Sequence, residues 1–110
     1  MRNIVLIIIA VTFMACADKS PNVKVVNQTT NKANVQLKFS NSNTININDV
    51  AGGQTTTPQE IPEGSCVVTA VIQNVSNSPT ATFNSSKNKT YSVVIVNSNP
   101  ISIRIDTEEQ

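Results

Sequence analysis

The chain has 110 residues, room for one small domain, and only 14% of them are charged, against about 25% in typical globular proteins. Eight basic residues stand against seven acidic ones, so no basic footprint for nucleic acid is available. The chain has no His, which removes the commonest general base and the commonest zinc ligand. Composition thus predicts one domain with a largely uncharged polar surface. We expect a protein that is not an enzyme and that binds no cofactor, metal ion or nucleic acid.

The N-terminus has a short positively charged start followed by an apolar run that stops before Asp18. A membrane span needs about 20 apolar residues, so this shorter run is typical of a secretory signal peptide. Its last residues, Phe13, Met14, Ala15 and Cys16, resemble the lipobox of bacterial lipoproteins. The resemblance implies cleavage between Ala15 and Cys16 and a diacylglyceryl group on the thiol of Cys16.

A lipid on Cys16 predicts a membrane partner and a place in the bacterial cell envelope, at the outer membrane rather than the inner one where the organism has two. Each buried methylene of an acyl chain adds about 0.8 kcal/mol, so two or three chains anchor a protein stably. The alternatives are an ordinary signal peptide or an uncleaved anchor. If Cys16 carries no lipid, a disulfide bond between Cys16 and Cys66 becomes possible.

Beyond residue 22 the apolar residues recur with a period of two, and no window has helical spacing long enough for a helix. The predicted strands lie, in chain order, at 23–26, 35–39, 44–48, 65–72, 81–83, 90–96 and 101–106. The segment between Pro58 and Pro62 is predicted to be an edge strand or a connection. Residues 65–72 predict a strand buried on both faces, with Cys66 as an unreactive core thiol.

This pattern predicts an all-β fold, a small immunoglobulin-like β-sandwich of six to eight strands, with a small barrel as the alternative. The predicted division is a signal peptide at 1–15, the lipidated Cys and a tether at 16–22, the sandwich at 23–106 and a flexible acidic tail at 107–110. The predicted core consists of Val25, Val35, Leu37, Phe39, Ile45, Ile47, Val68, Ala70, Ile72, Phe83, Tyr91, Val93, Ile95, Ile101 and Ile103.

Three blocks of the sequence, residues 23–27, 61–65 and 90–95, carry a valine-rich strand, an apolar-Pro-x-Gly-Ser segment and a Tyr-Ser-Val-Val strand. In this rhythm the chain resembles the extracytoplasmic domain of unknown function 4397, although Ser92 stands where that family usually has Thr. The resemblance implies an immunoglobulin-like envelope domain, often anchored by lipid, without an established activity.

Two sets of residues are candidate sites of chemistry. Asp49, Glu60 and Glu63 lack the spacing of a calcium loop, so they are interpreted as solvated loop charges. Ser86 and Lys89 match the bare Ser-x-x-Lys spacing, but that motif needs a helix, and here it falls in a predicted hairpin turn between strands.

The sequence therefore favours a lipid-anchored structural or interaction module, whose loops at 27–34, 48–58 and 75–80 meet an envelope protein or glycan partner. The alternative is a periplasmic small-ligand carrier or a subunit that assembles through an exposed edge strand, for which residues 101–106 are the candidate.

Overall fold

The computed structural model describes residues 18–110, which form eight strands in two four-stranded sheets packed as a β-sandwich. The strands are β1 (Asn22–Asn27), β2 (Ala33–Phe39), β3 (Thr44–Val50), β4 (Gln59–Glu60), β5 (Gly64–Ile72), β6 (Thr80–Ser85), β7 (Lys89–Val96) and β8 (Ser102–Glu109). The predicted all-β sandwich is confirmed, and the segment between the two prolines contributes the short edge strand β4.

The first sheet, sheet A, has the order β4-β1-β7-β8, and the second, sheet B, has the order β3-β2-β5-β6. Every neighbouring pair is antiparallel except β1 and β7, which run parallel over six register pairs. The connections β1–β2, β3–β4, β4–β5 and β6–β7 cross between the sheets, while the other three join neighbours in one sheet. These crossings close the core between the two layers.

Strand β5 corrects one prediction, because it is buried on one face only. Its burial alternates along the strand: Cys66 and Val68 are fully buried, whereas Val67 and Val71 are 43% and 54% exposed. The β-branched residues on its outer face suit an extended backbone without needing a second covering layer. An unbroken apolar run therefore does not by itself indicate a strand with two buried faces, since only one face of β5 is covered.

Strand β7 is the one with both faces buried, since Ser92 and Val94 on its outer face are 7% and 3% exposed. It lies between two strands whose long side chains flank these positions: Lys24 is the β1 neighbour of Ser92, and Arg104 is the β8 neighbour of Val94. The aliphatic stems of such side chains cover apolar surface while the charges stay in water.

The core is built mainly from the two inner strands of each sheet, and fifteen buried apolar residues form one cluster. Five predicted core residues, Ile45, Ile47, Phe83, Ile101 and Ile103, are only partly buried. They lie on or next to the edge strands β3, β6 and β8, where an inward-facing side chain has a strand neighbour on one side only.

The predicted flexible tail at 107–110 is wrong, because β8 continues to Glu109 in register with β7. Glu109 accepts a 2.6 Å hydrogen bond from the ammonium of Lys89, and the Gln110 N–H donates to the Asn88 carbonyl at 2.9 Å. Backbone pairing with β7 orders this acidic C-terminus, although its composition is typical of a solvated tail.

The connection between β6 and β7 is fixed by the single tyrosine. The Tyr91 hydroxyl donates to the Asn84 carbonyl at 3.0 Å and accepts from the Ser86 N–H at 2.9 Å, as in the tyrosine corner of immunoglobulin-like sandwiches. Its ring packs on Phe83 with centroids 4.7 Å apart. The predicted hairpin at this point is therefore wrong, since β6 and β7 lie in different sheets.

Candidate interaction surface at the distal end of the sandwich

Four connections meet at one end of the sandwich, called the distal end: residues 28–32, 51–54, 73–79 and 97–101. The strand directions explain why these connections meet. Strands β1, β5 and β7 end at the distal end, and β2 begins there. A backbone hydrogen bond of 2.9 Å from Gln73 to the Lys32 carbonyl joins two of these connections. The structure thus brings part of each predicted binding loop to one place, while residues 55–58 of the second loop run back alongside β1.

The chain enters the sandwich at the opposite end, called the N-terminal end. The backbone of Lys19 exchanges hydrogen bonds of 2.8 Å with Asn88, its N–H to the side-chain oxygen and its carbonyl from the Asn88 N–H. The Gln110 amide donates to the Ser20 carbonyl at 2.8 Å, and the Asp18 carboxylate lies 3.8 Å from the Lys87 ammonium. The segment leading into β1 is therefore held at the end farthest from the four connections.

A buried side-chain amide organises the distal end. Asn27, which was predicted to begin an exposed loop, is instead the last residue of β1 and is fully buried. Its Nδ2 donates to the carbonyls of Asn31 at 2.8 Å and Val50 at 3.0 Å, and its Oδ1 accepts from the N–H and hydroxyl of Thr29 at 3.0 and 2.7 Å. Every polar atom of this amide has a partner, which is the condition for burying one.

The backbone of Asn27 adds two further bonds to the segment 51–54. Its N–H donates to the Gln54 carbonyl at 2.9 Å, and its carbonyl accepts from the Gly53 N–H at 2.7 Å. One residue therefore fastens two connections that are more than twenty positions apart in the sequence.

Gly52 permits the closest approach in this region. A Cβ at this position would lie 2.6 Å from the Thr30 carbonyl carbon and 2.8 Å from the Thr29 carbonyl oxygen. Only a residue without a side chain fits against backbone at that distance. The Gly-Gly pair, which the sequence presented only as a break in the strand pattern, is thus where two connections touch.

The distal end is almost free of charge. Lys32 is the only charged residue in its four connections, and it lies 3.8 Å from the Asp49 carboxylate beside it. The rest are mainly Gln, Asn, Ser and Thr, with glycine and proline. A surface of this composition offers neutral hydrogen-bonding groups rather than charge.

Two adjoining shallow depressions continue from the distal end onto the outer face of sheet B. The first, about 270 Å³, is lined by Lys32, Asn34, Val71 and Gln73, and the second, about 170 Å³, shares Asn34 and Val71 with it. Both are smaller than the roughly 300 to 1,000 Å³ of typical small-molecule pockets. Their shape suits the surface of a larger partner better than an enclosed small ligand.

The predicted lipidation and cleavage residues, Cys16 and Ala15, lie outside the described residues. In the part that is described, no group of three potential metal ligands comes together. Asp49 lies at the distal end of β3, whereas Glu60 and Glu63 lie toward the N-terminal end. Residues 18–110 also contain no helix long and apolar enough to cross a membrane.

The Ser86–Lys89 spacing does not gather a nucleophile and a base. The Ser86 hydroxyl lies 3.1 Å from the Tyr91 hydroxyl, and both lysines of the segment pair with carboxylates, Lys87 with Asp18 and Lys89 with Glu109. The side chains that the spacing connects are thus engaged in holding the N-terminal end together.

Cys66 is a free thiol, fully buried in the inner face of β5, which confirms the interpretation as a core cysteine. Burial raises the pKa of the Cys66 thiol to about 11, because the thiolate loses its hydration there. A thiol in this state is a poor nucleophile at neutral pH.

The raised pKa of Cys66 predicts that the protein loses stability in alkali. Between the ordinary thiol pKa of 9.0 and about 11 the unfolded chain releases the proton while the folded chain retains it. The free energy of unfolding therefore falls as pH rises through this window, by up to about 1.4 kcal/mol per pH unit. Urea unfolding at pH 8 to 11 measures this slope. Cys66→Ala is expected to lack this contribution, and equal slopes for the two proteins would contradict the prediction.

Comparison with known proteins supports the fold. The chain is similar to a protein from Eubacterium rectale whose structure was determined by NMR, with a TM-score of 0.62 and 18% sequence identity. The match covers 79% of this chain and 88% of that one. No family model matches the chain, and no curated protein matches it. The similarity thus shows the sandwich alone, and the lipobox and the domain resemblance stay predictions.

Proposed function

We propose that this protein is a non-enzymatic, lipid-anchored component of the bacterial cell envelope, whose β-sandwich presents its distal end to an envelope protein or glycan. The lipid would be carried by Cys16, and the outer membrane is the favoured location where two membranes exist. The observation that carries the proposal is the opposite placement of the N-terminal segment and the four connections. A tether at Asp18 would leave the distal end directed away from the membrane.

Three features of the distal end support its role as the contact surface. Asn27 and Gly52 hold two of the connections together, so a partner would meet a preorganised surface. The connections contain one charge, Lys32, and many amide and hydroxyl groups. The adjoining depressions are shallow, which favours an interaction module over the alternative of a small-ligand carrier.

The anchor is tested by the intact mass of the native protein extracted from membranes with detergent. The expected species begins at Cys16 and carries a diacylglyceryl or triacyl mass, and Cys16→Ala is expected to lose that mass and the membrane association. A native chain without lipid, cut elsewhere, would contradict the anchor and direct attention to secreted ligands.

The contact surface is tested with a photo-crosslinking amino acid placed at Asn77 or at Asn41. Both side chains are exposed, but Asn77 lies in the distal connection 73–79, whereas Asn41 lies in the turn between β2 and β3 at the other end. Irradiation of intact cells is expected to capture an envelope partner from position 77 only. Capture from position 41 alone, or equally from both, would contradict the assignment.

A further inference from the structure

The sandwich has four edge strands, and three of them carry features that protect an edge from pairing with another chain. Strand β4 has only two residues, and β3 has a register shift against β2 and a positive φ of 58° at Asp49. Strand β8 carries the charged side chains Arg104, Asp106, Glu108 and Glu109. Short length, bulges and charge are the usual means by which proteins prevent edge-to-edge association.

Strand β6 has none of these features. Its sequence, Thr-Ala-Thr-Phe-Asn-Ser, contains neither charge nor proline, and all six residues pair with β5 without a register shift. Among the residues that the structure describes, no backbone hydrogen bond joins β6 to any strand other than β5. Its outer edge therefore carries backbone groups without a strand partner in the described part of the chain, of which the Asn84 carbonyl alone accepts a side-chain hydrogen bond, from the Tyr91 hydroxyl.

The phase of the β5–β6 ladder shows which groups these are. The Ala70 N–H donates to the Pro79 carbonyl at 3.0 Å, so the odd-numbered residues of β6 turn their backbone groups toward β5. The even-numbered residues, Thr80, Thr82 and Asn84, turn their backbone N–H and carbonyl groups outward, away from β5. The bond from the Tyr91 hydroxyl to the Asn84 carbonyl is consistent with this phase.

The same side of the sandwich leaves apolar side chains half-covered. On the inner face of β6, Ala81 and Phe83 are only partly buried. On β8, which lies beside β6 across the two sheets, Ile103 and Ile105 are partly buried as well. A strand added to β6 would cover part of this apolar seam in addition to bonding the free edge.

We propose that β6 is a homodimer interface, at which β6 of a second copy adds antiparallel to form one continuous eight-stranded sheet. The outward residues are symmetric about Thr82, so a twofold axis there pairs Thr82 with Thr82 of the second copy and Thr80 with Asn84 of the second copy. In this register every outward N–H meets a carbonyl, and the Asn84 carbonyl, which already accepts from the Tyr91 hydroxyl, uses its second lone pair for the Thr80 N–H of the second copy. Each Ala81 faces Phe83 of the other copy. No charged side chain of β6 opposes the pairing.

The interface is tested by cysteine cross-linking of the full chain in its native membranes. Thr82→Cys is compared with Thr107→Cys, which places the same exposed substitution on the edge strand β8. A short bismaleimide is expected to join two copies of the Thr82→Cys protein and none of the Thr107→Cys protein. The buried thiol of Cys66 gives little background. Equal cross-linking of the two variants, no cross-linked dimer, or a product with a different protein would overturn the proposal.

A second variant tests the hydrogen bonds themselves. Thr82→Pro removes an N–H that points away from β5, so the internal ladder is retained, and proline is tolerated at such an edge position. The light-scattering mass of the wild-type protein in detergent is expected to be that of a dimer. The variant is expected to associate at least tenfold more weakly while keeping its β-sheet circular dichroism. A wild-type monomer at high protein concentration would overturn the proposal.

Discussion

Replacing Asn27 with Ala is expected to lower the free energy of unfolding by about 3 to 5 kcal/mol. The amide makes four side-chain hydrogen bonds inside the protein, and its loss removes these partners from the Val50 carbonyl and the Thr29 N–H, while the Thr29 hydroxyl keeps its bond to the Asn31 carbonyl. An orphaned buried polar group costs about 1 to 3 kcal/mol, and this substitution affects two such groups at once. Urea unfolding followed by far-ultraviolet circular dichroism measures the loss, since the chain has no Trp for fluorescence.

The control for this substitution is Asn46→Ala, which removes the same amide from an exposed position on β3. It is expected to change stability by less than about 0.5 kcal/mol. Similar unfolding midpoints for the two variants would show that the buried amide is not the element that joins the connections. A fall in midpoint with an unchanged slope would attribute the effect to the folded state.

Gly52→Ala is expected to destabilise the protein by about 1 to 3 kcal/mol, the usual cost of forcing extra volume into close-packed structure. The added Cβ would meet the Thr30 backbone at 2.6 Å, and backbone cannot rotate aside as a flexible side chain does. To relieve this clash, the segment 51–54 must move away from the segment 28–32. That movement strains the hydrogen bonds that Asn27 makes to Gly53 and Gln54. The variant is therefore also expected to weaken capture of a partner at the distal end.

The neighbouring glycine provides the matched control. Gly53 has a φ of 81°, and a Cβ there would have no atom within 4 Å. Asn tolerates this conformation, so Gly53→Asn is expected to cost under about 1 kcal/mol. If both variants unfolded at the same urea concentration, backbone conformation rather than the close approach to Thr30 would govern this turn.

The period-two pattern predicts most of the fold, because alternation of apolar residues identifies strands whichever sheet they join. The pattern correctly predicts β2 and β3, whose inner faces carry Leu37 and Ile47. The same pattern carries no information about what covers the outer face. Val67 and Val94 are both β-branched and apolar and both have strand neighbours on each side, yet Val67 is 43% exposed and Val94 only 3%.

Sheet assignment was less predictable. The turn 86–88 has the composition of a hairpin, but the Tyr91 hydroxyl bonds that direct it from one sheet to the other depend on contacts across the β6–β7 connection. The C-terminal acidic residues likewise look like a solvated tail until β7 supplies a partner for their backbone, as it does for Glu108 and Glu109.

The candidate surface was predicted in part. Its three loops were identified from their turn-forming composition, but their convergence depends on strand directions that a sequence does not display. Asn27 illustrates the limit: an Asn after a valine-rich strand is typical of a turn, and only the carbonyls of Asn31 and Val50 make it a buried residue. The only sequence feature that points to this role is Thr29, two positions later. Thr29 makes two of the four side-chain hydrogen bonds of Asn27.

The parallel pairing of β1 with β7 has a mechanical consequence for a tethered protein. The N-terminal segment leads directly into β1, which lies between β4 and β7 and runs from one end of the sandwich to the other. Traction between a membrane at Asp18 and a partner at the distal end would act along this strand. The six register pairs would then be loaded together in shear instead of opening one after another. If the chain is tethered as proposed, the parallel pairing would resist pulling along β1.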